Sequence, residues 1–195
     1  ATAGDPDADV SDTAGAPALR AEIAGYLGRA RGLDVAASDV VVTAGTSDAM
    51  LLALLAMSPR GGRTRLRVGI ENPGYPRVHR ILRRLGIEAV PVAVRLGAGL
   101  DLDAVERQRD LDAFIVTPHH HYPLGSRLDA EARARLLAWA AREDVVVIED
   151  DYDSEFPHGR APLPPLHMID PARVVLIGSL SKTLTPAVRC GWLVA

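Results

Sequence analysis

Apolar positions along the chain follow two periods, one typical of helices and one typical of strands. Between residues 17 and 31, Leu19, Ile23, Leu27 and Ala30 recur at three- and four-residue spacing, which predicts an amphipathic helix that ends at Gly32. Further helices are predicted from the TAGTSDAM turn to residue 57 and at 77–85, 101–108 and 129–142. Short apolar runs predict strands at 40–42, 65–70, 87–94, 113–118, 145–150, 173–179 and 190–195.

The order of these elements indicates the fold class. Strands that alternate with helices are joined by right-handed crossovers, so they form a mostly parallel sheet with helices on both faces. We therefore expect an α/β fold with three layers. Ligands bind such sheets beyond the carboxyl ends of the strands. The loops at those ends carry the unusual residues of this chain: GTSD, ENPGYP, TPHHHYPLG, EDDYDSEF and SLSK.

Length and charge limit the classes of partner. A chain of 195 residues fits one domain. Its basic residues are scattered along the sequence and its net charge is -3, so we expect no nucleic acid to bind this segment. No apolar run is long enough to span a membrane. The single Cys190 and the lack of a secretory segment predict a cytoplasmic location. Because the chain starts without Met and stops at the apolar GWLVA, we expect a fragment of a longer protein.

Lys182 is the sole lysine among 22 basic residues. A GC-rich genome favours arginine over lysine, which would account for the arginines without any chemistry. An amine that must lose its proton and attack a carbonyl, however, can only be lysine. Both explanations remain open on composition alone.

Hydroxyl groups and a glycine at the start of the second predicted helix are typical of an anion site. Gly45, Thr46 and Ser47 precede that helix, whose free backbone N–H groups and dipole attract negative charge. An ordinary helix cap is the alternative. A phosphate bound jointly by these residues with Ser179 and Arg189 would explain both segments together.

Asp150 follows the buried run VVVI and Glu149 in the predicted strand 145–150, at a depth where a carboxylate needs a cationic partner. A protonated ring nitrogen would be such a partner. Tyr152 lies on the same side because side chains alternate along an extended chain. Asp151 and Asp153 fit a solvated strand end. A phosphate cradle, a buried carboxylate, a phenol and a lysine together are what pyridoxal 5′-phosphate (PLP) requires.

The motifs resemble a known family. SLSKTLTPAVRCGW resembles the Schiff-base lysine signature of the fold type I, aspartate-aminotransferase-like enzymes. IEDDYDSEF and VTPHHHYPLG resemble especially the aminotransferase-like domain of MocR-type regulators in the GntR superfamily, and ENPGYP fits the same group. The similarity covers nearly the whole chain and implies the PLP-binding large domain of fold type I transferases.

The resemblance implies a role for individual residues. Lys182 would form the Schiff base, Asp150 would pair with the pyridine nitrogen, and Tyr152 would contact the ring hydroxyl. Tyr75 would stack on the ring, with a core tyrosine as the alternative. The expected phosphate contacts are Thr46, Ser47, Ser179 and Arg189, with Ser181 as a further candidate.

Two more positions are candidates. Arg77 is close enough to Tyr75 in the sequence to reach a substrate carboxylate, although a surface role is the alternative. His120 is expected near the cofactor. We expect no metal site at residues 119–121, because adjacent residues on a strand point to opposite faces.

The chain departs from the family pattern in two places. Tyr122 precedes PLG, where ordinary aminotransferases have the Asn of an NPxG motif. Val10 stands where the family usually has a tyrosine that crosses the interface of a homodimer to the partner's phosphate. The resemblance nevertheless implies a homodimer.

Two functions from different classes remain open. The first is a cofactor-sensing effector domain of a transcription regulator, with a DNA-binding domain before residue 1 and an amino acid or amine as the ligand. The second is an aminotransferase that moves an amino group between an amino acid and a 2-oxo acid. Members of the family continue into a small C-terminal domain that supplies the principal carboxylate-binding arginine, and we expect that domain beyond residue 195. A domain that has lost the cofactor and only dimerises is a third reading.

Overall fold

The computed structural model describes residues 12–156 and 163–195, so the expectation for Val10 lies outside the described residues. The helices are α1 (Pro17–Arg31), α2 (Thr46–Leu55), α3 (Pro76–Arg84), α4 (Leu102–Glu106), α5 (Ala130–Glu143) and α6 (Leu166–Ile169). The strands are β1 (Val40–Thr43), β2 (Arg67–Asn72), β3 (Glu88–Arg95), β4 (Gly99–Leu100), β5 (Ala113–Val116), β6 (Val146–Asp151), β7 (Val174–Ser179) and β8 (Gly191–Val194).

The strands form one sheet in the order β1-β8-β7-β6-β5-β2-β3-β4. The central strands β3, β2, β5, β6 and β7 pair in parallel. β8 runs antiparallel to both β7 and β1, and β4 runs antiparallel to β3. β8 is reversed because the chain returns from β7 through a loop, and a direct return of this kind gives antiparallel pairing. The predicted α/β fold with a mostly parallel sheet is confirmed.

Helices cover both faces of the sheet and produce two main layers of core. Val147 of β6 packs in the layer with α4 and α5, which includes the edge-to-face pair of Phe114 and Trp139. Ile148, the next residue, packs in the opposite layer with α2 and α3. Asp150 is two residues after Ile148 and therefore belongs to the α2 and α3 face. A third cluster joins α1 to β1, β7 and β8.

The ends of three helices differ from the predicted bounds. Asp101 and Asp129 are helix caps rather than helical residues, because each carboxylate accepts a hydrogen bond from the amide three residues later. α2 is followed by its cap Ala56 instead of running to residue 57. The short elements β4 and α6 were not predicted. No helix within the described ranges combines the length and the apolar character needed to cross a bilayer.

Candidate functional site

A cavity of about 390 Å³ lies beyond the carboxyl ends of the central strands. Its wall contains eleven of the twelve predicted site residues: Gly45, Thr46, Ser47, Tyr75, Arg77, Asp150, Tyr152, Ser179, Ser181, Lys182 and Arg189. Thr117, Tyr122 and Pro186 complete it. Segments far apart in the sequence therefore meet at one edge of the sheet, as expected for strands that run in parallel.

The N-terminus of α2 forms one end of the cavity. Gly45 has a φ of 103°, a conformation that residues with a Cβ rarely adopt. A Cβ there would lie 3.6 Å from a guanidinium nitrogen of Arg189. The amides of Thr46 and Ser47 have no hydrogen-bond acceptor within the helix, because these two residues begin it. Two free amides, two hydroxyls and a guanidinium thus converge where an anion would bind.

Lys182 lies in the loop that joins β7 to β8. The loop is closed by backbone bonds from Leu180 N to Cys190 O (3.0 Å) and from Leu184 N to Leu180 O (2.9 Å). The Lys182 side chain is exposed, and no hydrogen bond or ion pair engages its amine among the residues that the structure describes. The amine is therefore available to a ligand in the cavity.

Asp150 is a buried carboxylate with an incomplete set of partners. The residue is 5% exposed, and its Oδ1 atom has no hydrogen-bond partner within the described part of the chain. Burial, and then the negative charges of Asp151 and Asp153, raise the pKa of Asp150 to about 7. A cationic N–H group placed in the cavity would satisfy this oxygen and favour its ionised form, so the site fits a protonated pyridine ring.

Glu71 is a second buried acid at the same edge, and the sequence interpretation missed it. Its Oε2 accepts hydrogen bonds from the Thr117 amide (3.0 Å) and the Thr117 hydroxyl (2.6 Å). Burial raises the pKa of Glu71 to about 7 although these bonds oppose the shift. Glu71 follows the apolar run VGI in β2, much as Glu149 and then Asp150 follow VVVI, so a comparable signal was present in the sequence.

Three tyrosines, Tyr75, Tyr122 and Tyr152, line the cavity. Tyr75 and Tyr122 meet edge to face with ring centroids 5.9 Å apart. Tyr122 was noted only as a departure from the family pattern, yet it lines the cavity. Tyr152 donates its hydroxyl to the backbone oxygen of His120 at 2.8 Å, and burial raises its pKa above the usual value for tyrosine.

The family model for class I and II aminotransferases matches residues 1–195. The chain belongs to the aminotransferase class I and II family. The crystal structure of the α-aminoadipate aminotransferase of Thermus thermophilus, complexed with N-(5′-phosphopyridoxyl)-L-leucine, superposes with a TM-score of 0.81 at 30% identity. The match covers 95% of this chain and 46% of that one. It confirms the fold type I architecture.

Two curated relatives in the family are regulators. The chain is 42% identical over 177 residues to the HTH-type pyridoxine biosynthesis transcriptional regulator PdxR of Corynebacterium glutamicum. It is 35% identical over 182 residues to the probable rhizopine catabolism regulatory protein MocR of Rhizobium meliloti. These matches cover 91% and 92% of this chain but only 37% and 36% of the relatives. The expected resemblance to MocR-type regulators is confirmed, and the chain spans little more than a third of these proteins.

The three consecutive histidines at positions 119–121 of this aminotransferase-like chain contact three different partners. His119 Nε2 lies 2.7 Å from a guanidinium nitrogen of Arg31, and burial, helped by that charge, lowers the pKa of His119 to about 2. His120 Nδ1 lies 2.6 Å from Asp153 Oδ2. His121 Nε2 lies 3.0 Å from the Pro73 oxygen. In the ranges that the structure describes, no three metal-binding side chains are grouped for an ion.

His120 is the predicted site residue that is not part of the cavity wall. Its ring stacks on Tyr152 with centroids 6.5 Å apart and an interplanar angle of 19°. Its Nδ1 contacts Asp153, and its backbone oxygen accepts the Tyr152 hydroxyl. His120 therefore contacts a residue of the cavity wall, Tyr152, through both its ring and its backbone.

Proposed function

We propose that this chain is the PLP-binding, aminotransferase-like effector domain of a MocR/GntR-type transcriptional regulator. The observation that carries the proposal is the single cavity that joins Lys182, the unsatisfied carboxylate of Asp150 and the anion cradle at the N-terminus of α2. The phosphopyridoxyl compound in the Thermus aminotransferase supports PLP as the ligand. The regulators PdxR and MocR support the biological class.

The residues fit the parts of PLP one by one. When bound, PLP supplies an electrophilic aldehyde and an electron-withdrawing ring. The deprotonated amine of Lys182 would hold the aldehyde end as an imine, with the aldehyde oxygen released as water, and Asp150 would keep the proton on the ring nitrogen. Tyr75 would stack on the ring, and Tyr152 would contact its hydroxyl.

The phosphate would be held at the other end of the cavity. The amides and hydroxyls of Thr46 and Ser47 would donate to it, together with the hydroxyl of Ser179 and the guanidinium of Arg189. The hydroxyl of Ser181 is within the same wall. The helix dipole of α2 adds to this attraction.

The rest of the regulator lies in other parts of a longer protein. We propose a cytoplasmic homodimer whose DNA-binding domain and small C-terminal domain are outside these 195 residues. An amino acid or amine is the small-molecule ligand. Arg77, which lines the cavity, would bind a carboxylate of that ligand.

An aminotransferase is the second candidate. The amine of Lys182 is exposed, so it can carry a proton between the two carbon atoms that exchange the amino group. The fold likeness to the Thermus aminotransferase favours this reading as well. Both candidates require the same site, so the regulator and the enzyme differ only in how they use the bound cofactor.

Full-length protein loaded with PLP separates the two candidates. It would be incubated with an amino acid and a 2-oxo acid, and its affinity for DNA upstream of its own gene would be measured in parallel. A regulator changes its DNA affinity on ligand binding and forms no new 2-oxo acid over many equivalents. Catalytic release of a new 2-oxo acid with unchanged DNA affinity would contradict the regulator and support the enzyme.

A further inference from the structure

A row of arginines on α3 lines a second cavity of about 250 Å³. Arg77, Arg80 and Arg84 share one face of the helix at three- and four-residue spacing, and Ser47 and Ile81 complete the wall. Ser47 and Arg77 also line the larger cavity. The second cavity therefore adjoins the proposed PLP site.

The charges of these arginines have no acidic partners in the described part of the chain. No ion pair or hydrogen bond holds Arg77, Arg80 or Arg84 there, although Arg63 and Arg135 elsewhere on the surface are paired with carboxylates. All three side chains of the row are exposed. The row thus presents uncompensated positive charge to whatever enters the cavity.

Helix stability does not explain the row either. α3 begins at Pro76, so Arg77 is in the first turn and Arg80 follows directly after it. The helix dipole disfavours a cation near an N-terminus by about 0.3 to 1 kcal/mol. Only Arg84, in the last turn, is favoured by the dipole. Arg77, in the first turn of α3, therefore has a cost that a ligand would offset.

We propose that the second cavity is a subsite for a distal anionic group on the amino-acid ligand. The inference rests on the proposed PLP function of the larger cavity. With a rise of about 1.5 Å per residue, Arg80 and Arg84 lie about 5 Å and 10 Å along the axis from Arg77. A second carboxylate or a phosphate a few bonds from the amine reaches this row, and a guanidinium binds either group through two parallel hydrogen bonds. The ligand class is amino acids that carry a second anionic group.

The test compares ligands that differ in that group alone. Full-length protein loaded with PLP would be titrated with L-glutamate against L-glutamine, and with phospho-L-serine against L-serine, while the absorbance of the cofactor is followed. We expect the anionic member of at least one pair to bind about tenfold more tightly, with a ratio that falls as salt rises. Equal binding within both pairs would overturn the subsite.

A matched pair of variants locates the effect. Arg80→Ala should reduce the preference for the anionic ligand to about one, whereas Arg83→Ala should keep it. Arg83 is on the same helix and exposed, but it is not in the wall of the cavity. Equal loss in both variants would assign the effect to overall charge and overturn the subsite.

The controls distinguish failure of the subsite from failure of the PLP proposal. If added PLP gives no absorbance band in the unmodified protein, the proposed function fails and the subsite fails with it. If the band forms and responds to amino acids without any preference for an anionic group, the subsite alone is wrong.

Discussion

Arg31 of α1 and Asp151 at the end of β6 form a buried ion pair behind the candidate site. Arg31 Nε and Asp151 Oδ2 are 3.1 Å apart, and their side chains are 3% and 6% exposed. Arg31 also contacts His119, which lies in the loop after β5. Asp151 is next to Asp150 but on the opposite face of the strand. The pair therefore fixes the strand end that presents Asp150 to the cavity.

Arg31→Met should destabilise the chain by about 3 to 5 kcal/mol. The reason is that the substitution leaves Asp151 buried without its counter-charge. Urea unfolding measures the change in the free energy of unfolding. Arg29→Ala is the control on the same helix, where the exposed side chain should make a difference of less than about 0.5 kcal/mol. Similar losses in the two variants would contradict a structural role for the ion pair.

Asp150→Asn should stabilise the cofactor-free chain at high pH and have little effect at pH 4. Because the pKa of Asp150 is raised to about 7 in the fold, the folded chain binds a proton that the unfolded chain releases above pH about 4. Wild-type stability therefore falls as pH rises from about 4 to 7. The gain in the variant should grow over that interval to about 2 to 4 kcal/mol. Urea unfolding at pH 4, 6 and 8 measures it, and a gain that does not depend on pH would contradict the assignment.

The same substitution should weaken PLP binding. The neutral amide of the variant cannot hold the ring-nitrogen proton by its charge, so the affinity for PLP should fall by about tenfold or more and the spectrum of the bound cofactor should change. Spectral titration of the full-length protein measures both. If affinity and spectrum are untouched, the acid that pairs with the ring nitrogen is a different one.

Gly191→Ala should disturb the anion cradle. A Cβ on Gly191 would lie 2.7 Å from the Cα of Gly45 and 2.7 Å from the Gly178 oxygen, both of which are backbone atoms that cannot rotate away. We expect a loss of about 1 to 3 kcal/mol in the free energy of unfolding and weaker PLP binding. Gly28→Ala, on an exposed part of α1, should instead stabilise by about 0.5 to 1 kcal/mol. Unchanged PLP affinity in Gly191→Ala would contradict the claim that β8 helps to shape the anion cradle.

Tyr152→Phe should preserve the fold while it alters the bound cofactor. The variant loses the hydrogen bond to the His120 oxygen, which contributes about 1 kcal/mol, and it also loses the hydroxyl that we propose contacts the ring hydroxyl of PLP. The absorbance maximum of bound PLP should shift. Tyr122→Phe is the control, because its ring keeps the edge-to-face contact with Tyr75. A shift in the control but not in Tyr152→Phe would assign the ring contact to Tyr122.

The hydrophobic periodicity of the sequence predicted most of the fold and part of the candidate site. Alternation of strands and helices gave the layers, and period two placed Asp150 and Tyr152 together. The reversal of β8 was not visible, because an apolar run carries no sign of its direction. The contact of Glu71 with Thr117 depends on β2 lying beside β5, which follows from the strand order. Local sequence does not contain that order.

The loop residues also divide into those that the local sequence predicted and those whose contacts depend on packing. Gly45 was identified from its place before a helix, and its positive φ is consistent with that local signal. His120 was expected near the cofactor, but its contact with Asp153, which joins two loops, could not be predicted. Tyr122 lines the cavity because its loop folds over Tyr75. Contacts between loops depend on packing, and the sequence therefore left them undetermined.

The central claim is that Lys182 binds PLP covalently, and borohydride reduction tests it most directly. Full-length protein loaded with PLP would be reduced and digested, and its peptides would be analysed by mass spectrometry. We predict the added mass of a pyridoxyl phosphate group on the peptide that contains Lys182, and a folded Lys182→Ala variant without a reducible absorbance band. A label on another peptide, or a reducible band that persists in Lys182→Ala, would contradict the account.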